Sequence, residues 1–335
     1  MLIKHRRIMI WVIILVLIFI VIPVGSFIWW KSSLSKQLVQ NSVLIQTGAG
    51  FVEYGEVGRG PVVLLLHGGG TGYDQIYFYR DLANQGFRVL CPSRPGYLRT
   101  PINSGKTFKA QANMLKEFLE RLKIPGKVAI IADGIGGPLA INFAFYYPNR
   151  VACIVFHDAV SQSYSPASIV DNSIVTRLLL AGFRNDFFGW IQSLAVSAFP
   201  SLVFKQYLKA ETSIDGATCK QIASTLLTNP EDVLKLKKYV AMYAPMSQRA
   251  YGLKYEEALC ANLPRYQTEM MYIPSLVIHS RLNRTIPVKH GEFLASTIPN
   301  VQYIPYDGLG SLSWFGGYRQ AFYPQMINFL KQHMY

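Results

Sequence analysis

Val128-Ala129-Ile130-Ile131-Ala132-Asp133-Gly134-Ile135-Gly136-Gly137 is the stretch whose reading decides the fold. The apolar run at its start fits a strand buried on both faces. The glycines that follow permit a sharp turn into a helix expected over Pro138–Tyr147, ended by Pro148. The same rhythm continues on both sides. Phe51–Val57 alternates as a strand does, and Val62–Leu66, Arg88–Cys91, Val151–Phe156, Ser275–Ser280 and Val301–Pro305 also read as strands. Thr107–Leu122, Val288–Thr297 and Tyr318–His333 read as helices between and after them. Alternation of this kind implies an α/β fold, with a mostly parallel sheet covered by helices on both faces. Between about residues 160 and 271 the strands give way to helical stretches such as Ile174–Leu180, Trp190–Ala198 and Glu231–Tyr243. The last is opened by Asn229 as a capping residue and Pro230 at the first helical position. This block reads as a helical cap inserted late in the sheet.

The N-terminus has a different character. Ile8 to Trp30 carries no charge, and as a helix it is roughly 34 Å long, enough to cross a ~30 Å hydrocarbon core. Trp11, Trp29 and Trp30 fall near its ends, where indole rings favour the membrane interface. Lys4, Arg6 and Arg7 precede it, whereas only Lys31 and Lys36 follow closely. That asymmetry predicts a cytoplasmic N-terminus and an extracytoplasmic domain. The competing reading is a signal peptide cut after Val24-Gly25-Ser26, but the length of the segment favours an uncleaved anchor. The expected organisation is an anchor over residues 1–30, a polar stalk over 31–47 and one domain over 48–335.

The formal charge is +14, yet the first forty residues hold five of the cations and no acid. The rest is spread without a basic stripe interleaved with aromatics, so nucleic-acid binding is not expected. Cys91, Cys153, Cys219 and Cys260 show no C-x-x-C spacing, which argues against a metal or redox motif. Cys219 and Cys260 both fall in helical stretches and are candidates for a disulfide in an oxidising compartment.

The chain resembles the α/β-hydrolase fold family, in particular its cap-bearing bacterial members. The resemblance is carried by His67-Gly68-Gly69-Gly70 after one strand, Ser93-Arg94-Pro95-Gly96-Tyr97 after the next, and the turn at 132–137. The cap and Pro274–Ser280 leading to Ile286-Pro287 complete it. It covers nearly everything from residue 48 onward. It implies hydrolysis of small esters, amides or related bonds by a serine nucleophile in a G-x-S-x-G elbow, a histidine base and an orienting acid. All three positions are substituted. The serine position is Gly134, the acid position is Asn283, and the histidine position, in the frame Gly308-Leu309-Gly310, is Ser311. A glycine cannot attack, an asparagine lacks the acid's charge, and a serine is no base near neutral pH. His5, His279, His290 and His333 are poorly placed to substitute, and His279, inside a strand, reads as a core histidine.

Other parts of the apparatus persist. Gly68, Gly69 and Ile135 resemble an oxyanion-hole scaffold. Asp133, His157 and Asp158 follow strand ends and form a candidate non-standard acid/base centre. Arg94, Arg281 and Arg284 also follow strand ends and are candidates for drawing an anion into the cleft. The expected protein is a membrane-anchored pseudo-hydrolase that binds a small molecule or protein in the old cleft, with no cofactor or metal. A hydrolase with a non-standard site, and a scaffold whose cap holds a partner, are the alternatives.

Overall fold

The computed structural model describes residues 2–165 and 185–335. The helical reading of Ile174–Leu180 lies outside the described residues. Eight strands form one sheet in the order β1-β2-β4-β3-β5-β6-β7-β8. They are β1 (Val43–Thr47), β2 (Gly50–Gly58), β3 (Val62–Leu66), β4 (Arg88–Pro92), β5 (Val128–Asp133), β6 (Val151–His157), β7 (Ser275–Ser280) and β8 (Val301–Tyr306). β2 is antiparallel to β1 and β4, and the remaining pairs are parallel. Every residue of β3 is buried, as is β5 up to Ala132, which is why these strands read as continuous apolar runs.

Among the described residues, the α-helices of nine residues or more are, in chain order, α1 (Leu2–Val16), α2 (Ile22–Gln40), α3 (Phe108–Arg121), α4 (Gly137–Tyr146), α5 (Asp186–Ala198), α6 (Pro200–Glu211), α7 (Gly216–Leu226), α8 (Pro230–Ala241), α9 (Ala250–Ala261), α10 (Lys289–Thr297) and α11 (Tyr323–Met334). Two apolar clusters fill the body. One, containing Leu64, Ile130, Phe118 and Leu139, includes residues of α3 and α4; the other, containing Val63, Ile131, Phe329 and Leu330, includes residues of α11 and the cap. Adjacent strand residues alternate between them, as the two-residue period of a strand requires. α5 to α9 make the cap. Thr107, Asn185, Asp215 and Asn229 cap α3, α5, α7 and α8 by accepting backbone N–H groups of the first turn.

Two expectations are corrected. The polar stalk expected over 31–47 is not separate from the domain. α1 and α2 run together through a π-helical turn at Leu17–Val21, α2 continues to Gln40, and β1 begins at Val43. No proline interrupts the chain between Trp30 and Gln40, and the body supplies partners there. Lys31 pairs with Asp186 at 2.6 Å, Gln248 donates to Ser35 Oγ, and Tyr73 donates to the Leu38 carbonyl. Cys219 and Cys260 are also not joined. Both are buried free thiols, and they belong to different apolar clusters.

Candidate functional site

The turn after β5 has the geometry its glycines require. Gly134 has φ +53°, a region where an L side chain strains the backbone. Three residues on, a Cβ at Gly137 would lie 2.1 Å from the Val160 carbonyl oxygen, so this helix start can approach the chain after β6 only as glycine. A Cβ at Gly134 itself would meet only Gly68 Cα and Ile286 Cδ1, each at 3.6 Å. Position 134 therefore has room for a side chain in ordinary contact with its neighbours.

Next to it lies a cavity of about 250 Å³ between the C-terminal ends of the strands and the cap. Gly134, Asn283 and Ser311 all line it. Three positions far apart in sequence thus converge on one chamber. None is idle. Asn283 Oδ1 accepts the Ile286 N–H at 2.8 Å, and Gly310 packs against the Asn283 side chain. Ser311 hydrogen-bonds to the Glu211 carboxyl group, and Tyr239 reaches both, at 2.5 Å from Glu211 Oε1 and 2.8 Å from Ser311 Oγ. Glu211 ends α6, in the cap. Burial, with the Asp158 and Asp133 charges adding to it, pushes its carboxyl up to about 8 despite the Tyr239 hydrogen bond.

A second polar group meets the cavity through Asp133 and His157, with Tyr79 buried behind them. Tyr79 donates to Asp133 Oδ2 at 2.5 Å and lies 2.9 Å from His157 Nδ1, which is 3.2 Å from the same carboxylate oxygen. Burial works against a charged His157, but the hydrogen bond to Asp133 and its charge overcome it and hold the imidazole above its usual range. The ring stacks on Phe322, with centroids 4.8 Å apart. Asp158, at φ +45°, accepts the Ser280 N–H through Oδ1. Asp133, His157 and Asp158, singled out from sequence, are therefore brought together on the cavity wall. Tyr79, Glu211 and Tyr239 were missed.

The arginines and part of the oxyanion turn take other roles. Arg94 is fully buried, 2.9 Å from Glu256 of α9, and donates to the carbonyls of Ile135 and Gly68. It joins the turn after β3, the turn after β5 and the cap, and does not line the cavity. Arg281 pairs with Asp307 at the surface and Arg284 reaches the Lys209 carbonyl; neither lines the cavity. The Gly68 N–H donates to Gln75 Oε1 at 2.6 Å and is not a free oxyanion donor. Gly68, Gly69 and Ile135 all line the cavity. His279 is buried against the Ile286 carbonyl, as a core histidine should be. Among the described lining residues are Asp133, Asp158, Glu211 and Glu257, and no lysine or arginine. The candidate role of the arginines in drawing an anion into the cleft finds no support here, because the described lining carries carboxyl groups instead.

A family model described as the α/β hydrolase fold matches residues 61–318. The chain belongs to the α/β-hydrolase fold family. It is 26% identical over 270 residues to an uncharacterized hydrolase, YcgS, of Bacillus subtilis, covering 80% of this chain and 90% of that one. It is 24% identical to a 2-hydroxy-6-oxononadienedioate/2-hydroxy-6-oxononatrienedioate hydrolase of Comamonas testosteroni, over 75% and 81% of the two chains. Among solved structures, an α/β hydrolase fold protein from Nakamurella multipartita superposes with a TM-score of 0.76 at 21% identity, covering 87% of this chain and 99% of that one.

Proposed function

We propose that this protein is a membrane-anchored, catalytically silent α/β-hydrolase-fold protein that binds a small ligand in the cavity beneath its cap. The observation that carries the reading is the convergence of Gly134, Asn283 and Ser311 on one chamber, each lacking the group the chemistry needs. Function has to be argued from such a site and not from the fold. The chamber is small for a ligand site, where about 300–1,000 Å³ is usual. Its carboxyl groups, with tyrosines 164, 207, 239 and 243 and Trp314 beside them, favour a neutral or cationic ligand over an anion. The uncharged span Ile8–Trp30 supports an anchor, and the basic residues before it support a cytoplasmic N-terminus.

A second reading is supported by the Tyr79–Asp133–His157 contact. These groups can exchange a proton, so a hydrolase that activates water there is the alternative. A panel of small esters, lactones and amides tests both readings on the full chain. The silent reading expects no turnover above the buffer rate. Turnover that disappears in His157→Ala and Asp133→Asn would establish the second.

A further inference from the structure

One face of the cap carries a stripe of exposed apolar side chains. α5 buries Trp190, Gln192 and Val196 on one side and exposes Phe187, Ile191 and Leu194 on the other, at 49%, 40% and 53%. These positions are four and three residues apart, so they form one stripe. Phe199 and Leu202 are exposed immediately beyond the helix. A contiguous run of large apolar side chains marks an interaction surface.

The stripe starts where the N-terminal helix touches the cap. Phe27 packs its ring 5.9 Å from Phe187 and 6.0 Å from Trp190, centroid to centroid. One turn further along α2, Lys31 pairs with Asp186. The uncharged run ends at Trp30, so Phe27 lies only about 5 Å along the helix axis from that end. Phe187 is held at the same level. Amphipathic helices in the interfacial layer sink their apolar side about 5–10 Å below the headgroups.

We propose that the exposed face of α5, formed by Phe187, Ile191 and Leu194 and continued by Phe199 and Leu202, rests in the lipid interface of the bilayer that α1 and α2 cross. The inference depends on the anchoring reading. Its occupant is a lipid surface because the same helix that carries the stripe is clamped to the membrane helix at its boundary. α6 follows directly and walls the cavity with Tyr207, Ala210 and Glu211, so the bilayer supports one wall of the binding site.

Nitroxide labels on the full chain in phosphatidylcholine–phosphatidylglycerol vesicles test this. All four native cysteines are buried, which directs the label to an introduced one. Ile191→Cys and Leu194→Cys report on the stripe, Ile18→Cys on the anchor, and Tyr272→Cys, an exposed residue just before β7, on water. The expected result is strong oxygen and weak nickel-chelate relaxation at 18, 191 and 194, with the reverse at 272. Labels at 191 and 194 as open to nickel as 272, with 18 still in lipid, would overturn the docked cap and leave the anchor standing. Labels at 191 and 194 shielded from both reagents would mean that protein covers the stripe, which also overturns it. A nickel-accessible label at 18 would remove the anchor and the inference together.

Discussion

Ser311 and Glu211 are hydrogen-bonded to each other across the cavity, a loop residue after β8 against the last residue of cap helix α6. A histidine in place of Ser311 would compete with that contact and with Tyr239. The position that the resemblance marks for a base is here a tie between body and cap. Burial pushes the Glu211 carboxyl up to about 8.

That shift has a pH signature. The folded state holds the Glu211 proton up to about pH 8, whereas the unfolded chain releases it near 4.5. Between those values the folded state binds more protons, so this group's stabilising contribution is complete below about 4.5 and is lost as pH rises to 8. Glu211→Gln should flatten the decline and raise Tm most at pH 8 and above. Thermal melts of both chains from pH 5 to 9 check it, and parallel curves would count against the assignment.

Gly134→Ser should cost about 1–2 kcal/mol, because the strain of a side chain at φ +53° is uncompensated even though its neighbours leave room for it. Denaturant unfolding gives the number. An unchanged or higher stability would mean the elbow is misplaced. Gly137→Ala should be far worse, since its Cβ would collide with the Val160 carbonyl.

Glu256→Ala should cost about 3–5 kcal/mol, since it leaves the Arg94 guanidinium buried without its counter-charge. Replacing both Arg94 and Glu256 by apolar residues should be milder than removing Glu256 alone. Urea midpoints of the unaltered chain and the two variants measure this, and a double variant as destabilised as Glu256→Ala, or more so, would contradict a coupled pair.

The sheet was largely legible because its strands are short apolar runs between turn residues, and Val62–Leu66 and Ser275–Ser280 carry the same bounds in sequence and structure. The converging positions were legible through the family resemblance, which marks them by the glycine turn at 134–137, the Ile286-Pro287 pair and the Gly308-Leu309-Gly310 frame. Glu211 was not, since a glutamate at the end of an amphipathic helix looks solvated until the cap is folded over the body. The same holds for Tyr79 and Tyr239, whose hydroxyls meet partners 54 and 28 residues away. Arg94 misled for a related reason. A strand end can face the cleft or the neighbouring turn, and its buried partner Glu256 lies on a distant helix. Residues 31–40 read as a polar stalk because the sequence does not show that Lys31 and Ser35 meet Asp186 and Gln248 of the cap.

The central claim is that the chamber has the form of a hydrolase site without serine chemistry. Incubating the full chain with a fluorophosphonate probe tests it most directly. The account predicts no covalent label at any serine, with the protein folded and an active α/β hydrolase labelled in parallel. A stoichiometric label that vanishes in Ser311→Ala, or on replacement of any other single serine, would contradict it.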